Sequence, residues 1–181
     1  MKSVPGSSSY IIETLERRHD RKAFSCRQVD LDRHLKQQAR QDAARRVAAT
    51  FVAVERGKAV VVGYYSLSAA GVPLRDLPPQ TAARFPRYPL LPATLLGRLA
   101  VDRNHQGRKL GAFLLVDALQ RSLAQSDEIG SIAVIVDAID GRARAFHEHF
   151  QLIAFPGQPR RLFLPMESIA GVFSQNPPAK Q

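Results

Sequence analysis

The stretch LLGRLAVDRNHQGRKLGAFLLVDALQRSL, Leu95 to Leu123, joins a short apolar run, a glycine-punctuated basic turn and an amphipathic helix without interruption. Leu95 to Val101 is apolar apart from Arg98, the pattern of a buried strand bounded by turn signals. Asp102, Arg103, Asn104 and His105 are polar and turn-prone. From Leu110 onward Leu110, Leu114, Leu115, Ala118, Leu119 and Leu123 recur three or four residues apart, which places them on one face of a helix beginning near Gly107. Between strand and helix, Gln106-Gly107-Arg108-Lys109-Leu110-Gly111 combines glycines that permit close backbone approach with the unpaired N–H groups of a first helical turn. Such a turn suits an anion, a phosphate above all, and it also serves as plain α/β scaffolding. Neither G-x-G-x-x-G nor G-x-x-x-x-G-K-S/T is present, so it is not a dinucleotide fingerprint or a P-loop.

Working outward, 181 residues at 45% hydrophobic fit one globular domain. The expected layout is a flexible N-terminus over 1–9, a single domain over 10–170 and a flexible tail over 171–181. The 26 Lys+Arg against 16 Asp+Glu give a formal charge of +10, which points to a polyanionic partner, nucleic acid first and membrane surface as the rival. No apolar run reaches the roughly 20 residues of a membrane span, and MKSVPGSSSY lacks the apolar core of a signal peptide, so a cytoplasmic protein without a membrane partner is expected. The one cysteine, Cys26, reads as a small buried thiol in a reducing compartment.

Along the chain, Tyr10 to Leu15 reads as a first strand. Val29 to Ala49 reads as one long amphipathic helix carrying Leu31, Leu35, Ala39, Ala43 and Val47 on its apolar face, with Asp30 as a possible cap. Between Arg17 and Arg46 ten Lys/Arg face four acids, six of the ten net charges in a sixth of the chain. This is either a solvated face or a phosphate-backbone surface. Thr50 to Glu55 and Lys58 to Ser68 form an antiparallel hairpin around Arg56-Gly57. Gly71 to Pro92 holds six of the twelve prolines and is read as a long loop with a short helix near Gln80 to Phe85. Ser131 to Val136 is a strand, Asp140 to Phe150 a helix capped by Asp140, and Leu152 to Phe155 with Arg161 to Leu164 a closing hairpin. The strands at 95–101 and 131–136, joined by a helix, should be parallel. The class is mixed α/β.

The turn resembles motif A of the GNAT acetyltransferases, Gln/Arg-x-x-Gly-x-Gly/Ala after a strand and opening a helix. Gln106 and Gly111 match it, and Lys109 stands at the family's middle glycine. The element order is also that of GNAT proteins, and the fragments HDRKAFSC, LDRHL, GYYSLSA, LLGRLAVD, LLVDAL and VDAIDGRARAF resemble the GNAT toxins of bacterial toxin-antitoxin pairs. The resemblance implies a mostly antiparallel sheet with one parallel pair splayed around acetyl-CoA, and flanking helices. It implies acetylation of the α-amino group of aminoacyl-tRNA, arrest of translation, a ribbon-helix-helix antitoxin and a homodimer. Carried onto this sequence, backbone groups of Leu99, Ala100 and Val101 hold the pantetheine arm, and Gln106, Gly107, Arg108, Lys109, Leu110, Gly111 and Ala112 hold the pyrophosphate. Arg33, Lys36, Arg40, Arg45, Arg46, Arg84 and Arg87 are the candidate tRNA contacts.

Acetyl transfer needs a neutral amine, polarisation of the carbonyl and stabilisation of the leaving thiolate. In the toxins a tyrosine directly after a phenylalanine serves the thiolate. Here Phe146 is followed by His147, whose ordinary pKa of about 6.5 makes it the candidate acid. Gln151 is a third departure, replacing a glycine usual after this helix. His19, His34 and His105 read as surface residues, and no Cys/His cluster suggests a metal. Two alternatives remain: a weakened GNAT-fold protein that binds CoA, RNA or antitoxin without turnover, and a GNAT enzyme acting on a small-molecule or protein amine.

Overall fold

The structure, a computed structural model, describes residues 9–175. Its strands are β1 Tyr10–Thr14, β2 Ala49–Glu55, β3 Val61–Pro73, β4 Leu90–Val101, β5 Ala133–Asp137, β6 Ile153–Phe155 and β7 Gln158–Pro165. They form one seven-stranded mixed sheet in the order β1-β2-β3-β4-β5-β7-β6. The expected hairpin pairs Thr50 with Ser66 and Val52 with Tyr64, antiparallel, with a bulge at Ala53/Val54. The parallel pair is also as expected: Thr94, Leu95 and Leu96 of β4 lie beside Val134, Ile135 and Val136 of β5. Parallel neighbours need a long crossover, and helix α4, Leu110–Ser126, supplies it.

The described residues fall into two compact units. The first comprises the described residues up to Ser68 together with Gly97–Ala118. Its core joins Phe24, Cys26, Leu35, Ala39, Val52, Val54, Tyr64 and Ala100. The start of α4 closes on β3 at Gly63, where a Cβ would meet Leu114 Cδ1 at 2.9 Å and the Ala100 carbonyl at 3.3 Å. A larger residue there would require Leu114 and the β4 backbone at Ala100 to give way. The second unit, Ala69–Leu96 with the described residues from Leu119, is built on Val72, Leu77, Leu91, Ala93, Ile135, Phe155 and Phe163.

Four sequence expectations are corrected. The long helix over 29–49 is broken: α1, Val29–Arg33, runs into a π-helical turn, His34–Gln38, and then α2, Ala39–Ala44, after which β2 starts at Ala49. The wide turn is held by side chains from outside the helix, since Arg21 Nη1 donates to the Leu35 carbonyl at 3.0 Å and Tyr64 Oη to the Leu31 carbonyl at 2.8 Å. The helix begins without a side-chain cap at Gln28, so Asp30 is a first-turn acid and not the cap. The proline-rich segment is shorter than expected, because β3 extends to Pro73 and β4 begins at Leu90, leaving a 3₁₀ turn, Leu74–Asp76, and α3, Pro79–Ala82. A helix α6, Met166–Gln175, occupies the first part of the expected tail, anchored by buried Met166 and Ile169. The expected flexible segment over 1–8 and the remainder of the tail lie outside the described residues.

Candidate functional site

The turn is fixed from its first residue. Asp102 follows β4 and is buried; its carboxylate accepts from Ser25 N at 3.0 Å and Asn104 N at 2.9 Å. Burial raises its pKa, but those two N–H donors and neighbouring His105 outweigh it and hold the carboxyl below its ordinary value. Backbone bonds from Asp102 N to the Val62 carbonyl and from Arg103 N to the Ser25 carbonyl, both 2.8 Å, add to the anchor. Gln106 Nε2 reaches back to the Val101 carbonyl at 3.1 Å, stapling the turn to the end of β4.

Beyond Gln106 the backbone takes left-handed values twice, at Gly107 with φ +77° and at Lys109 with φ +61°. Lys109 therefore adopts the conformation that the family pattern reserves for glycine. Phe113 N closes onto the Lys109 carbonyl at 3.1 Å, so α4 opens at once and its first-turn N–H groups at Leu110, Gly111 and Ala112 have no intrahelical acceptor. Gln106, Gly107, Arg108 and Lys109 are exposed while Leu110 is buried as the anchor.

Gly107, Arg108 and Lys109 line a cleft of about 690 Å³ with Ser9, Tyr10, Glu55 and Arg56. Three cations and one carboxylate face it. That carboxylate, Glu55, is engaged by Lys58 and lies 3.2 Å from His105 Nε2, contacts that hold it ionised. The donor set fits a polyphosphate: cations, two left-handed residues and the positive end of a 17-residue helix. Leu99, Ala100 and Val101 end β4 beyond its pairing with β5, which stops at Leu96.

His147 belongs to the second unit, on α5, Gly141–His149. Asp140 caps this helix by accepting from Ala143 N at 2.8 Å. The other end closes through Gln151, at φ +68°, with Gln151 N on the Glu148 carbonyl at 2.9 Å and Leu152 N on the His147 carbonyl at 3.2 Å. Like Lys109, Gln151 keeps the left-handed backbone of a missing glycine. His147 is 7% exposed, sits edge-on to Phe146, and its Nδ1 is buried without a hydrogen-bond partner among the described residues. Burial lowers its pKa to about 4, so it is a neutral imidazole near pH 7.

The candidate tRNA contacts Arg33, Lys36, Arg40, Arg45 and Arg46 are exposed on and after the helix pair of the first unit. Arg33 is paired with Asp30 at 3.3 Å; Lys36, Arg40, Arg45 and Arg46 have no acidic partner among the described residues. A second cleft of about 560 Å³, lined by Arg17, Arg18, Arg21, Lys22 and Lys36 with His19 and Asp20, belongs to the same basic face. Arg84 and Arg87 are exposed in the second unit, where Arg84 is ion-paired with Glu167. The histidines read as surface residues are not so: His19 and His34 are buried, 2.8 Å from Glu13 and 3.0 Å from Asp42 respectively, and His105 is mostly covered. Their partners lie 6, 8 and 50 positions away, beyond what local pattern reveals. Asp102 was missed as an anchor, although Asp-x-Asn is itself a side-chain-to-backbone turn signal. No group of three or more metal-ligating side chains occurs among the described residues.

A mixed sheet with one parallel pair, a strand ending in a basic left-handed turn and a helix opening from it define an acyl-CoA-binding class, and the chain belongs to the acetyltransferase (GNAT) family, whose model matches residues 12–151. It is thus an acetyltransferase with acetyl-CoA as donor. Among its relatives, a tRNA-acetylating toxin of Mycobacterium tuberculosis is 37% identical over 145 residues, 80% of this chain and 85% of that protein. The solved AtaT complexed with acetyl-methionyl-tRNAfMet superposes with a TM-score of 0.85 at 26% identity, covering 91% of this chain and 99% of that one. A tyrosine-to-phenylalanine variant of the AtaT toxin bound to the C-terminus of the antitoxin AtaR gives 0.79 at 26% identity, covering 92% and 99%.

Proposed function

We propose that this protein is a toxin that acetylates the α-amino group of aminoacyl-tRNA, halts translation in the cytoplasm, and is neutralised by a ribbon-helix-helix antitoxin. The carrying observation is the backbone of the turn. Lys109 at φ +61° keeps the amides of Gly107 to Ala112 available for a diphosphate even though the middle glycine is gone. Its ammonium adds a cation to a cleft already holding Arg56 and Arg108. The similarity to toxins that act on tRNA supports the substrate class, as do the cations Lys36, Arg40, Arg45 and Arg46, which have no acidic partner among the described residues. The AtaT–AtaR complex supports an antitoxin partner. A homodimer is proposed from the family resemblance. Among the described residues no helix is long and apolar enough to cross a membrane.

Acetyl-CoA, once bound, would supply an acetyl thioester: the free amine forms a bond to the carbonyl carbon, the C–S bond breaks with CoA leaving as the thiolate, and the nitrogen gives up a proton that neutralises it. The chain's own groups do three things. The N–H and C=O groups of Leu99 to Val101 hold and polarise the arm. Residues Gln106 to Ala112 take the diphosphate. His147 serves the thiolate as a neutral hydrogen-bond donor and not as an imidazolium, because burial keeps its second proton off near pH 7. Radiolabelled acetyl-CoA with a panel of charged tRNAs tests the reading. Label on the aminoacyl moiety of at least one species is expected, and no label on any of them overturns it. The net charge of +10 weighs against polyamines as the acceptor.

A further inference from the structure

Arg98 is the one charged residue in the apolar run that ends β4, and it stands directly before Leu99, Ala100 and Val101. It is half-buried. A guanidinium without an anionic partner keeps unused donors for one, and among the described residues the Arg98 side chain has neither an ion pair nor a hydrogen bond.

Its surroundings offer no carboxylate to spare. Arg98 lies within electrostatic reach of His34 and Tyr64: burial lowers the pKa of His34 and Arg98 acts in the same direction, whereas at Tyr64 burial raises the pKa and Arg98 acts against it. Asp42 is bound to His34 at 3.0 Å. Asp32 accepts from Cys26 N at 2.8 Å and Ser25 Oγ at 3.2 Å. Asp102 is committed to the turn. Tyr64 Oη spends its proton on the Leu31 carbonyl, and buried His34 Nδ1 has no partner. An arginine left in this position is a receptor for an anion brought from outside. Such an anion must accompany the acceptor amine, since the same unit already provides Arg56, Arg108 and Lys109 for the diphosphate of the donor.

We infer that Arg98 binds the 3′-terminal phosphodiester of charged tRNA, the 5′-phosphate of the terminal adenosine, and so positions the aminoacyl group for transfer. This rests on the proposed aminoacyl-tRNA substrate and adds a residue to it. The exposed cations Arg33, Lys36 and Arg40, on the helices whose Leu35 and Ala39 pack in the same core as Ala100, extend the path for the preceding phosphates. Arg98 therefore reads a feature every tRNA shares, not the identity of the amino acid.

The test compares two acceptors: 3′-aminoacyl-adenosine with and without a 5′-phosphate. Wild type should use the phosphorylated form about 10- to 100-fold better in kcat/KM, the range of a charge-assisted contact. Arg98→Gln should lose that preference by slowing on the phosphorylated acceptor alone, and Arg98→Lys should keep part of it. Acetyl-CoA affinity by calorimetry should be unchanged in both. A full preference retained in Arg98→Gln overturns the inference, as does a loss of acetyl-CoA affinity, which would assign Arg98 to the donor. The preference is a ratio within one protein, so it survives partial misfolding of a variant. If wild type acetylates charged tRNA but ignores the 5′-phosphate, only this inference fails. If it acetylates no charged tRNA, the substrate reading fails and this inference with it.

Discussion

Two residues show how a departure in sequence can leave a backbone intact. Lys109 and Gln151 both replace family glycines, and both sit at positive φ, +61° and +68°. A non-glycine side chain there costs roughly 1–2 kcal/mol, offset in part by the 0.5–1 kcal/mol of chain entropy that glycine itself gives up on folding. Lys109→Gly should therefore leave stability unchanged or raise it by up to about 1.5 kcal/mol in urea denaturation. His147 is the departure with chemical consequences. Its pKa falls from the ordinary 6.5 to about 4, so between those values the unfolded chain binds more protons than the folded one. Stability is complete above pH 6.5 and declines as pH falls toward 4, by about 3 kcal/mol in all from this group. Burial moves His34 in the same direction. Urea denaturation at pH 7.5 and 4.5 should show His147→Phe losing less stability on acidification than wild type; an equal loss would mean that His147 is charged in the fold. Tyr at this position, His147→Tyr, should raise the acetylation rate, because a phenol reaches further than an imidazole; an unchanged rate would place thiolate stabilisation elsewhere.

At the level of elements, the region around the turn was legible because strand, turn and helix each carry a local signature. The apolar run at Leu95, the polar break at Asp102 and the three-to-four spacing from Leu110 gave β4, the turn and α4 in order, and Asp140 announced the cap of α5. Asp140→Ala should cost about 1 kcal/mol of stability, read as a lowered urea midpoint without a change in slope. What was not legible depends on distant partners. The π-helical turn at His34–Gln38 is held by Arg21 and Tyr64, 14 and 33 residues from the carbonyls they bind. Helix α6 follows β7 without a turn signal, and its short amphipathic run resembled the tail beyond it. The expectation of His147 as an acid rested on an ordinary pKa near 6.5, and the burial that lowers it is a tertiary property that no i, i+3 pattern announces.

For the whole molecule, charge is the dominant fact. A net +10, with Lys36, Arg40, Arg45 and Arg46 unpaired among the described residues and Arg33 and Arg84 tied to acids, points to the helix pair of the first unit as the stronger polyanion surface. Substituting Arg40, Arg45 and Arg46 together by Ala should reduce the slope of log affinity for tRNA against log salt by up to about three, near one for each phosphate no longer neutralised. An unaltered slope would place the tRNA on another face. The donor site is the most direct test of the account, because everything proposed needs a turn that works with lysine at its centre. Calorimetry of acetyl-CoA with wild type and Lys109→Gly should show both proteins binding, the variant within about tenfold, one charged hydrogen bond, of wild type. Silence from wild type with binding restored in Lys109→Gly would show that the lysine closes the site, and would contradict the account.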